Sequence, residues 1–126
     1  MIVLDSSGWI EFLVGSDTGR QFIPAVRSPD LVVPSIVIVE VRHWWLSSPE
    51  KVGSLDDAMQ LMARGRVAPL DIDLARSAGT LGIRHKLPLA DSIVYATAQS
   101  LGAVVWTQDR DFEGLPGVEY TPKAGH

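Results

Sequence analysis

Apolar residues fall along the chain in two alternating patterns. Short β-branched and aliphatic runs at Met1–Leu4, Leu31–Val33, Val67–Leu70 and Ala103–Trp106 read as buried strands, with Val118–Tyr120 as a last edge strand. Between them, apolar residues recur at three- and four-residue spacing, as helices require. Ser6 or Ser7 opens a helix carrying Trp9, Ile10, Phe12 and Leu13, and Gly15 stops it. Thr18–Val26 reads as a second helix, with Pro24 in its interior or bending it. Ser54–Arg64, Asp71–Lys86 and a helix from Pro88 to Leu101 complete the set. The alternation predicts an α/β domain with a short, mostly parallel central sheet flanked by helices.

One stretch is ambiguous. Ile36–Val41 has strand propensity, yet Pro34-Ser35 is a good helix start and Trp44-Trp45-Leu46 extends the segment, 35–46, to helical length. Pattern alone leaves both open.

Length and composition narrow the picture. The 126 residues fit a single domain, 1–126, with 121–126 expected as a flexible tail. The absence of cysteine excludes disulfides, zinc-thiolate sites and thiol catalysis. Met1–Asp5 lacks the basic start and long apolar stretch of a signal peptide, and the longest apolar run, Ile36–Val39, is too short to span a bilayer. A cytoplasmic protein without membrane association is expected. The net charge of −4 argues at first against a nucleic-acid partner.

Four acids stand out, each with a bland alternative. Asp5 and Asp109 each follow a predicted strand, where open α/β sheets bind ligands, although either could simply cap the next turn. Glu40 is the only acid between Asp30 and Glu50, among large apolar neighbours. Burying it is unfavourable unless it is paired, with Arg42 or His43 for example, or binds metal. Asp91 lies in the first turn of a helix, where the dipole favours a carboxylate anyway. Setting these four aside leaves 11 acids against 11 Lys and Arg, so the acidity need not exclude a polyanionic substrate if the four bind cations.

The segments around these acids resemble the PIN domain family. Asp5-Ser6-Ser7 looks like its opening, Pro34–Val41 carries its second acid as Glu40, Leu87–Ser92 its third as Asp91, and Val105–Phe112 its fourth as Asp109. The order covers nearly the whole chain, and the closest resemblance is to the VapC toxins of bacterial toxin–antitoxin modules. The resemblance implies a PIN-like fold in which 35–46 is helical and the four acids converge. Beside Asp109 it disfavours Asp111, which is expected to cap or stay solvated.

The activity implied is that of a metal-dependent endoribonuclease. One or two Mg²⁺ or Mn²⁺ ions would sit among the acids, as hard cations prefer oxygen ligands. Asp5 and Asp91 are expected as direct ligands, Glu40 and Asp109 as completing the sphere, one of them orienting water. Thr107 and Ser6 are candidate supporting hydroxyls. Phosphate contacts are expected among Arg84-His85-Lys86, Arg42, Arg64, Arg66 and Arg110, while His43, His85 and His126 read as surface or structural residues. The partners implied are an RNA substrate, a VapB-like antitoxin and a second copy in a homodimer. Of Trp44 and Trp45, one is expected in the core and the other at an interface, or both partly buried in the monomer.

Competing readings fail on residues. A haloacid-dehalogenase-like phosphatase needs an acid where Ser7 stands, and no Gly-x-Gly-x-x-Gly follows the first strand for a dinucleotide. The non-enzyme alternative is a catalytically inactive PIN-like module that binds RNA or protein.

Overall fold

The computed structural model describes residues 1–49 and 51–124. Five strands form one all-parallel sheet in the order β3-β2-β1-β4-β5. They are β1 (Ile2–Leu4), β2 (Leu31–Pro34), β3 (Arg66–Ala68), β4 (Val104–Thr107) and β5 (Val118–Tyr120). Seven α-helices join or flank them among the described residues: α1 (Ser6–Val14), α2 (Asp17–Arg20), α3 (Ile23–Arg27), α4 (Ser35–Ser47), α5 (Leu55–Ala63), α6 (Ile72–His85) and α7 (Leu89–Leu101). A single 3-10 turn, Arg110–Phe112, lies between β4 and β5. Parallel strands need crossovers, and helices supply them on the faces of the sheet.

The central strand β1 is flanked by β2 and β4, so Val3 and Leu4 are fully buried. Trp9, Phe22, Tyr95 and Phe112 are the largest side chains of the surrounding core. The ambiguous segment is helical. In α4, Val37 and Val41, one turn apart, are buried while Val39 between them is exposed. That periodicity is a helix's, and core burial of one face overrides the β propensity of the run.

Three boundaries differ from expectation. The predicted helix 18–26 is two short helices, because Pro24 sits in the first turn of α3, where its missing N–H is harmless. The third strand starts and ends earlier than Val67–Leu70. Pro69 has no N–H for the ladder, and the Leu70 N–H donates to Ser35 Oγ at 3.2 Å instead. The cap of α1 is neither Ser6 nor Ser7 but Asp5 itself.

Trp44 and Trp45 are both half-buried, so neither enters the core. Trp45 Nε1–H donates to the Val52 carbonyl at 3.1 Å, and Lys51 Nζ sits 5.0 Å from the Trp45 ring. Lys51 donates to the carbonyls of Trp45, Leu46 and Ser48, which closes the end of α4. After β5 the chain stays attached. Thr121 N–H donates to the Thr107 carbonyl at 2.8 Å, Ala124 N–H to Thr18 Oγ1 at 2.6 Å, and Lys123 pairs with Glu11 at 3.4 Å. The remainder of the expected tail, Gly125 and His126, lies outside the described residues.

Candidate metal centre

Parallel strands of one sheet all end on the same side, and the acids gather there. Asp5 follows β1 and Asp109 follows its neighbour β4. Asp5 is 2% exposed and every oxygen is engaged. Oδ1 accepts from Gly8 N–H at 2.9 Å, Oδ2 from Thr107 Oγ1 at 2.6 Å, and the Ser7 hydroxyl lies 2.9 Å from both. The capping and site readings of Asp5 are therefore compatible. Burial pushes its carboxyl from 3.8 up to about 6, the bonds from Thr107, Gly8 and Ser7 hold it down, and Asp109 adds a smaller upward push.

Thr107 ties the two strand ends together. Its buried hydroxyl donates to Asp5 and accepts the Asp109 N–H at 2.8 Å. Asp109 in turn accepts the Asp111 N–H at 2.9 Å and caps the 3-10 turn. Both expected supporting hydroxyls have a place, but differently. Thr107 holds Asp5 and Asp109, Ser7 rather than Ser6 is the second holder of Asp5, and Ser6 acts on Glu40 by favouring its charged form.

Glu40 reaches the same region from α4. It is half-buried, its Oε1 is shielded from solvent without a hydrogen-bond partner, and burial followed by the charge of Asp109 raises its carboxyl. Neither Arg42 nor His43 pairs with it, and both are exposed. Asp91 comes from the first turn of α7. Burial first, then Asp109, Asp5 and Glu40, push it from 3.8 to about 8. Asp91 thus senses the charge of all three other acids, and of these Asp109 has an oxygen within 4.8 Å of one of its own.

Asp111 is exposed, as expected, yet it lies near this group. One carboxylate oxygen from each of Asp91, Asp109 and Asp111 lies within 4.8 Å of the other two. Sequence spacing carried a weak signal for it, since Asp109 and Asp111 share one face of an extended segment. The 3-10 turn instead brings Asp111 back beside Asp109.

Approach of α7 to the site depends on a close contact. A methyl group at Gly82 of α6 would lie 2.8 Å from Ser92 Cβ on α7, so glycine lets the two helices meet at the residue next to Asp91. The turn between them passes through Lys86, which adopts a left-handed conformation at φ 55°. His85 stacks edge-on to Tyr95 at 5.3 Å, a packing role as expected. Arg84 and Lys86 remain exposed at this end. Arg64 and Arg66 do not, because they precede or start β3 and so lie at the opposite end of the sheet from the acids.

The donor set consists of carboxylate oxygens, several with raised proton affinity and one without a partner. That is the chemistry of a hard divalent cation site, and the residues fit such an ion.

This chain belongs to the PIN domain family, whose model matches residues 2–118. No curated protein matches the sequence. Among solved structures, a toxin–antitoxin complex from Klebsiella pneumoniae is similar at 24% identity and TM-score 0.82, covering 98% of each chain. A sarcin–ricin loop cleaving VapC toxin from Mycobacterium tuberculosis is similar at 20% identity and TM-score 0.70, over 97% of this chain and 100% of that one. VapBC2 from Rickettsia felis, bound to a DNA fragment from its promoter, shares 13% identity at TM-score 0.69, over 97% and 98%. At these identities the likeness is one of fold.

Proposed function

We propose that this chain is a Mg²⁺- or Mn²⁺-dependent endoribonuclease, the toxin of a toxin–antitoxin pair, which hydrolyses RNA phosphodiester bonds at Asp5, Glu40, Asp91 and Asp109. The strongest support is the convergence on Asp91, whose carboxyl is driven to about 8 by burial and by the three other acids. So much negative charge at one point is unfavourable for folding alone and favourable for holding a cation.

Asp91 and Asp5 are the proposed direct ligands, with Asp109 and Asp111 beside Asp91 and Glu40 completing the sphere. A divalent cation bound there supplies positive charge that acidifies water, offsets the phosphate and steadies the leaving oxygen. The residues do the rest. Thr107, Ser7 and Gly8 fix Asp5 so that it does not swing when substrate arrives. Glu40, with its unpartnered Oε1 and raised proton affinity, orients the attacking water and takes its proton.

The partners are part of the proposal. An acidic cleft suits a basic side chain from an antitoxin, and the structural relatives include a toxin–antitoxin complex from Klebsiella pneumoniae. A homodimer is supported by apolar side chains left outside: Val39 and Leu46, two turns apart on α4, and Ile83 and Leu89 around the α6–α7 corner, 85% and 80% exposed. No described helix is long and apolar enough to cross a membrane, and the cytoplasm is the proposed location.

Cleavage of a structured RNA pool with Mn²⁺ tests the reading. Asp91→Asn and EDTA are each expected to abolish cleavage while circular dichroism stays that of a folded protein. Activity surviving either treatment refutes it, and binding without cleavage by the unaltered chain identifies an inactive PIN-like module instead.

A further inference from the structure

The acids crowd the carboxyl end of the sheet, yet directly beside them the surface changes sign. A cavity of about 480 Å³ is lined by Gln108, Arg110, Tyr120, Pro122 and Lys123. Its place follows from register. Thr107 pairs with Tyr120, so β4 and β5 end side by side. Gln108 and Arg110 flank Asp109 in sequence, which puts the cavity next to the carboxylates.

The wall is held by a hydrogen-bonded set that the nuclease reading does not use. Glu11 Oε1 accepts from Gln108 Nε2 at 3.2 Å and pairs with Lys123 Nζ at 3.4 Å, and the Ser16 hydroxyl holds its other oxygen. The bond to Glu11 fixes the Gln108 amide with its N–H inward. Its Oε1 is left shielded from solvent and without a donor. Arg110 and Lys123 are exposed, and Tyr120 is half-buried at the end of β5.

We propose that this cavity binds one nucleotide of single-stranded RNA adjoining the scissile bond, a role that rests on the nuclease reading above. Arg110 and Lys123 hold its phosphate, and the Tyr120 ring stacks its base. A basic antitoxin segment fits the acids but not this cavity, whose lining carries Arg110 and Lys123 and no carboxylate. Of the arginines expected to meet phosphate, Arg110 is therefore the one assigned a subsite.

Fluorescence anisotropy of a fluorescein-labelled, mixed-sequence single-stranded RNA 10-mer tests this, in an Asp91→Asn background with Mg²⁺. Arg110→Gln with Lys123→Gln is expected to weaken binding and to reduce the slope of log K against log salt by about 0.7, the share of one neutralised phosphate on a single strand. Tyr120→Ala is expected to weaken binding about 5- to 150-fold, and Tyr120→Phe, which keeps the ring, to restore it. In the otherwise unaltered enzyme the same changes raise KM for RNA. Both cations are on the surface, so their replacement leaves the core intact. An unchanged salt slope and affinity in that double variant overturn the subsite and leave the nuclease reading standing. Loss of binding in the variants, together with no metal-dependent cleavage by the unaltered chain, keeps the subsite and removes the nuclease reading.

Discussion

Asp91→Asn exchanges a carboxylate for a neutral side chain of the same shape, and its effect on stability reverses the usual outcome of altering a site residue. The folded protein raises this carboxyl from 3.8 to about 8. A group that binds its proton more tightly folded than unfolded adds stability at low pH. That contribution declines as pH rises from about 4 and becomes a full penalty above 8. Four pKa units correspond to roughly 5–6 kcal/mol at about 1.36 each. Asp91 is only half-buried, so solvent screening brings this to about 3 kcal/mol. Loss of a favourable first-turn charge takes back up to about 1 kcal/mol. Asp91→Asn is thus expected to stabilise the metal-free protein at pH 8 by about 2 kcal/mol, a rise in Tm of several degrees, and to do nothing near pH 4. The assay is thermal unfolding by circular dichroism in EDTA across pH 4.5–8.5, repeated with Mn²⁺. The unaltered protein should lose Tm as pH rises and regain it with Mn²⁺, while the variant should show a flatter profile and less response to metal. A destabilised variant at pH 8, or an unaltered protein whose Tm climbs steadily to pH 8 in EDTA, would refute the reasoning.

Three further outcomes are expected. Thr107→Val removes the donor to buried Asp5 and the acceptor for Asp109 N–H; urea unfolding should show a loss of about 1.5–3 kcal/mol, and the acid limb of the pH–rate profile should move to higher pH because Asp5 loses the strongest bond favouring its charge. Glu40→Gln should weaken Mn²⁺ binding about tenfold or more by calorimetry, and equal affinity would exclude Glu40 from the centre. Gly82→Ala meets Ser92 at 2.8 Å; overpacking there should lower stability by about 1–3 kcal/mol, and an unchanged melting curve would show that α6 and α7 have room to part.

Much of this was legible because it is written in short periods. Strands and helices announced themselves by spacing, and Asp5 and Asp109 by their position after strands. What failed depended on contacts distant in sequence or on single backbone donors. Pro69 shortened β3, Pro24 split the helix expected at 18–26, and Leu70 N–H was drawn to Ser35, 35 positions away. Asp111 was set aside on the family pattern and is exposed, but the 3-10 turn after Asp109 keeps its carboxylate within 4.8 Å of those of Asp91 and Asp109. Arg64 and Arg66, candidates for phosphate contact, lie at the end of the sheet away from the acids, which sequence spacing could not show. For α4, local pattern could not choose between strand and helix. The family resemblance implied a helix, and the burial of Val37 and Val41 on one face gives the physical reason.

The sheet order carries a consequence in time. Strand β4 pairs directly with the first strand made, and the bond from Thr107 to Asp5 spans 102 positions of sequence. At about 5–20 residues per second, a ribosome delivers Thr107 and Asp109 roughly 5–20 s after Asp5. Until then Asp5 has neither its neighbouring strand nor the hydroxyl that steadies it, and Asp91 has no Asp109 beside it. The acids therefore cannot assemble piecemeal as the chain emerges. A chain that stops short of β4 carries no working version of the centre, and whatever chemistry these carboxylates perform begins only once β4 has joined β1.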